Sequence, residues 1–137
     1  MRFIIWAVVG LLSGWRAFVH AQRDVVRDML ENDTTWVACA IALSESIVAA
    51  SRLTDEVVLS RHLEDMIRHT WDFLHVVPID QSLLDEATTL CQSQPVGISA
   101  ALHLAAASRL PAPIRFITFD AAQIPVALSL GFEVVSG

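Results

Sequence analysis

IRFITFDAAQIPVALSLGFEVV, from Ile114 to Val135, carries the plainest structural signal in the chain. Ile114 to Phe119 is β-branched and aromatic, which suits a pleated, buried strand. Asp120 follows it at once. Ala121 to Leu130 then reads as a short helix, with Pro125 early enough to be tolerated and Gly131 placed to close its C-terminal end. Phe132 to Val135 is a last strand. A strand joined to a strand through a helix belongs to a parallel sheet, because a helical crossover covers one face as it returns the chain.

The same alternation extends upstream. Arg2 to Val9 is apolar enough for a buried first strand, and Gln22 to Glu31 reads as a short amphipathic helix. Thr34 to Ala38 is β-prone and feeds a helix from Ala40 to Arg52. Thr54 is placed to cap a longer helix, Asp55 to Leu74, whose Val57, Val58, Leu63, Met66 and Ile67 can supply an inner face. His75 to Val77, ended by Pro78, is a short strand, and Asp80 can cap a helix from Gln81 to Gln92. Pro95 and Gly97 separate that helix from an Ala/Leu-rich one, Ile98 to Leu110. The predicted class is α/β, one domain over residues 1–137.

Composition narrows the function classes. The 137 residues are 54% hydrophobic with a formal charge of −6, and all nine basic residues are arginines. Such a chain is no generic nucleic-acid sponge, since neutralising phosphates needs a positive surface; any RNA contact must be local. The apolar excess points instead to self-association. Cys39 and Cys91 lie in apolar stretches without zinc-type spacing, so they read as buried thiols and fit a reducing, cytoplasmic setting. The run Phe3 to Leu12 also has the look of a signal peptide, with Val19-His20-Ala21 as a cleavage site, but a buried strand explains it more simply. It is too short for a bilayer crossing, which takes about 20 residues.

In parallel sheets ligands gather outside the carboxyl ends of strands, which singles out Glu45 and Asp120. Glu45 is the only charged residue between Asp33 and Arg52. It reads as a ligand for a hard divalent cation, as an exposed residue on a polar side with Ser44 and Ser46, or as a partner of Arg52. Asp120 reads as an acidic ligand, with the Thr118 hydroxyl nearby, or as a helix cap. His103 stands alone on an apolar helix and reads as a packed histidine with its nitrogens satisfied. His62 and His69, beside Arg61 and Arg68, read as a solvated helix face. Trp6, Trp15, Trp36 and Trp71 read as core or interface anchors.

WVACAIALSESIVAASR, HVVPID, PVGISAALHLAAA and FITFDAAQIPVALSLGFEVV together resemble the PIN domain of VapC-type toxins, over about Val25 to Val135. The resemblance implies a three-layer α/β/α fold whose mostly parallel sheet has about four or five strands. It also implies Mg²⁺ or Mn²⁺, held by a cluster of about four carboxylates and activating water against an RNA phosphodiester. Glu45 and Asp120 match acids of that cluster as catalytic and metal-binding residues, with Thr118 and Ser99 beside them. Departures are equally specific. Ala100 stands where the family has Asp before Ala-Leu-His-Leu-Ala, the Asp that ends the first strand falls near Ala7, and Gly97 occupies the place of an Arg that meets RNA. With half the acids gone, metal binding should be weak and catalysis impaired. The resemblance further implies a cognate antitoxin and a homodimer. Two expectations follow: an impaired Mg²⁺-dependent ribonuclease toxin, or a non-catalytic PIN-like protein acting through dimerisation or antitoxin binding.

Overall fold

The computed structural model describes residues 36–72, 74–118 and 120–135, together with the backbone of residues 3–6. Its strands are β1 (Phe3–Trp6), β2 (Trp36–Cys39), β3 (His75–Val77), β4 (Ile114–Ile117) and β5 (Glu133–Val135). They pair in parallel throughout, in the order β3-β2-β1-β4-β5. β1 runs alongside both β2 and β4, pairing Ile4 with Trp36 on one side and Ile4 with Arg115 on the other. The order reverses there, and the carboxyl ends of the strands at such a switch point form a crevice. The α/β expectation holds. The helix read over Gln22 to Glu31, the Trp15 anchor and the rest of the longer first strand lie outside the described residues.

Alternation along the strands divides the core. Val37, Ile114, Phe116 and Val134 face one side, where Leu104, Ala107, Val126 and Ala127 close over them. Phe116 is fully buried and its ring stacks on Phe132 at 5.9 Å. The opposite side carries Trp36 and Ile117, against which Leu74 and Val135 pack. Trp36 is thus the core anchor expected of it, and Trp71 is half-buried.

Each crossover helix takes its place from a local rule. α1 (Ile41–Leu53) buries Ala42, Ser46 and Ala50, small residues four apart that let the helix sit close to its neighbours. α3 (Gln81–Ser93) is capped as predicted by Asp80, whose Oδ1 accepts from the Leu83 N–H at 2.8 Å. α4 (Ile98–Ser108) is buried continuously from Ala101 to Ala107, the signature of a central helix with no polar face. Arg109, just beyond it, reaches back to Asp80 Oδ1 at 3.0 Å and Glu86 Oε2 at 3.5 Å. α3 and α4 are therefore antiparallel, and the first turn of α4 lies at the other end of the pair. α5 (Gln123–Ser129) closes through Gly131, whose φ of 85° lets Phe132 N–H reach Ala127 O at 3.1 Å.

α2 (Val57–Trp71) corrects the sequence reading. Thr54 does not cap it: the Thr54 hydroxyl accepts from Glu56 N–H in a turn, and the helix begins at Val57. Nor do Val57, Val58 and Met66 face inward, being 63%, 75% and 44% exposed. α2 buries no residue completely, and Leu63 and Ile67 are only half-covered. A helix held chiefly against one neighbour, here α1, covers a narrow stripe, so an apolar face wider than that stripe stays open. No described helix is long and apolar enough to cross a membrane.

Candidate acidic site

The carboxyl edge brings together three segments: the start of α1 after β2, the first turns of α4, and the residues after β4. From α1 comes Glu45, half-buried with its side chain 18% exposed. From α4 comes His103, 1% exposed, one turn beyond Ala100. His103 Nε2 lies 2.6 Å from Glu45 Oε1. That contact gives Glu45 a partner that none of the readings of the sequence had named. Its partner is neither Arg52 nor solvent beside a polar face, for Ser46 is buried and donates to Ala42 O at 2.6 Å. His103 is packed as expected, yet only one of its nitrogens is satisfied: Nδ1 has no hydrogen-bond partner among the described residues.

The segment after β4 is held by its own network. The buried Thr118 hydroxyl donates to Gln123 Oε1 at 2.5 Å and accepts from Asp120 N–H at 3.0 Å. Gln123 Nε2 in turn donates to Ala100 O at 3.2 Å, tying the start of α5 to the first turn of α4. Asp120 is exposed, and its Oδ1 accepts from Ala122 N–H at 2.9 Å, so it braces the turn into α5. Ser99 is exposed on the first turn of α4. Sequence reasoning missed Gln123, 2% exposed and central to this network. The only available signal was an amide in an otherwise apolar helix, and an amide there reads equally well as surface.

Cys39 ends β2 in the same neighbourhood. Burial pushes its thiol above the ordinary value of 9.0, and the negative charge of Glu45 adds to the effect. The thiol is fully enclosed and packs as a core group beside Leu83, Ala87 and Leu102.

A site for Mg²⁺ or Mn²⁺ requires several converging oxygens. Among the described residues no group of three or more His, Cys, Asp or Glu side chains converges in that way. Of the acids implied by the resemblance, Glu45 is engaged by a histidine and Asp120 by a backbone amide, while Ala100 offers only a methyl group. These donors do not fit a closed carboxylate cage.

No family model matches the chain, and no curated protein matches it. Two solved structures resemble it nearly end to end. One is a toxin–antitoxin complex from Klebsiella pneumoniae, 16% identical with a TM-score of 0.66, matched over 99% of this chain and 97% of that one. The other is FitAB bound to an IR36 DNA fragment, 11% identical with a TM-score of 0.67, over 99% and 94%. The chain shares its fold with both. At such identities it is backbone architecture that is shared, and each side chain of the site must be argued from its own contacts.

Proposed function

We propose that this chain is a toxin-type subunit of a toxin–antitoxin pair, a three-layer PIN domain of the VapC kind that keeps partner binding while its RNA-cleaving site is depleted. The observation that carries this reading is the engagement of Glu45 by His103 at the carboxyl edge of a parallel sheet. The likeness to subunits of a toxin–antitoxin complex supports a protein antitoxin as partner. The open apolar residues of α2 supply a surface of the right chemistry for one.

Weak ribonuclease activity is the second reading, favoured by Glu45 and Asp120 both following strands at this edge. Mg²⁺ or Mn²⁺, when bound, would supply the activated water for attack on an RNA phosphodiester. In this chain Thr118 and Gln123 would fix the Asp120 segment, and His103 would fix Glu45.

Co-expression with candidate antitoxin proteins tests the proposal. A stoichiometric complex that survives size exclusion is the expected result. A chain that forms no such complex yet cleaves RNA efficiently on its own would reverse the order of the two readings.

A further inference from the structure

No residue from Ala121 to Phe132 is charged, yet much of this stretch is on the surface. α5 buries Gln123, Val126 and Ala127, and the exposed Ala121, Pro125 and Leu128 follow one another at the spacing of a single helix face. Leu128 is 57% exposed and Leu130 39%. Pro111, Ala112 and Pro113 extend the surface: all three are exposed, and because Arg115 pairs with Glu133 the turns entering β4 and β5 lie side by side. The nearest strand charges point away, since Arg115 and Glu133 alternate with Phe116 and Val134, which share a core with α5. A solvated helix ordinarily carries charge on its outer face, so a contiguous apolar surface without any marks an interface.

Charge also says what fits there. The chain carries a net −6, so two copies repel one another wherever their acids would meet. The rim of the open α2 residues is net acidic, with Asp55, Glu56, Asp65 and Asp72 against Arg61 and Arg68, and a self-contact there would set acid against acid. The α5 face has no charge to desolvate and none to oppose. α2 leads into β3 and α5 into β5, the two edges of the sheet, so the faces are well apart. We infer that the α5 face is where a second copy of this chain docks, each subunit offering the same surface across a two-fold axis. That arrangement leaves α2 of both copies open to the partner proposed above. The dimer does not depend on that partner, and its test uses none, so the two can fail separately.

The experiment is sedimentation of the purified chain over roughly 1–100 µM, for wild type, Leu128→Glu and Met66→Glu. The wild type should reach twice the monomer mass. Its dissociation constant should fall as salt rises from about 0.05 to about 0.5 M, because screening relieves the repulsion between acidic copies while an uncharged contact loses nothing. Leu128→Glu, at an exposed position and with an unchanged circular dichroism spectrum, should raise the dissociation constant at least about tenfold. Met66→Glu, on α2, should change it by no more than about twofold. The inference is overturned by a chain that stays monomeric throughout, which would leave the face to a different protein, or by a dimer that survives Leu128→Glu. A dimer that dissolves with Met66→Glu, or that weakens as salt rises, overturns it as well. Should Leu128→Glu fail to fold, hydrogen exchange of the wild type decides: amides of residues 123–131 that exchange more slowly at high concentration than at low support the contact, and concentration-independent rates overturn it.

Discussion

Replacing Thr118 by Val keeps the shape of the side chain and removes one hydroxyl. That hydroxyl donates to Gln123 Oε1 and accepts from Asp120 N–H, so both groups lose a partner. Asp120 is exposed and water can take over its amide. Gln123 is 2% exposed and has no such recourse. An unsatisfied buried acceptor costs about 1–3 kcal/mol, and the added methyl returns somewhat under 1 kcal/mol, which leaves a net loss of about 1 kcal/mol. For a chain of this size the thermal midpoint should drop by roughly 3–5 °C. Urea unfolding followed by circular dichroism measures the loss directly, since the midpoint should fall with an unchanged slope. Gln123→Met removes the other side of the network, and the pair of substitutions should couple by at least about 1 kcal/mol. A Thr118→Val protein within about 0.5 kcal/mol of wild type, or additive effects in the double variant, would refute the argument that this network holds the Asp120 segment in place.

Further outcomes follow from other contacts. Phe116→Ala empties the centre of the sheet face and should cost about 3–5 kcal/mol, read from the same urea curves. The Arg109 guanidinium, and after it the Leu83 N–H, hold the Asp80 carboxyl below its ordinary 3.8. A depressed carboxyl contributes its stability above the unfolded value and loses it as pH falls through the folded one. Acidification past 3.8 should therefore lower the urea midpoint more for wild type than for Arg109→Ala, and a steeper loss in the variant would contradict the pairing. A thiol reagent should label half-buried Cys91 in the native protein and reach Cys39 only on unfolding; equal native rates would show that Cys39 is not enclosed.

Local rules made much of the fold readable. β4, α5 and β5 announce themselves through β-branched residues, an early proline and a glycine at positive φ, all signals that act within a few residues. Asp80 was legible as a cap for the same reason. The α2 face was misjudged because periodicity says which residues share a side, and nothing about how much of that side a neighbour covers. Glu45 was singled out correctly as a charge needing compensation, but its partner lies 58 residues away, where only the packing of α1 against α4 brings them together. Gln123 went unseen because a buried amide and an exposed one look alike until the Ala100 carbonyl is placed beside it.

The central proposal is that partner binding has outlived catalysis in this chain, and cleavage of defined RNAs by the purified chain in Mg²⁺ or Mn²⁺ tests it most directly. The account predicts little or no cleavage, with Glu45→Gln and Asp120→Asn leaving the trace unchanged. Efficient metal-dependent cutting that both substitutions abolish would contradict it.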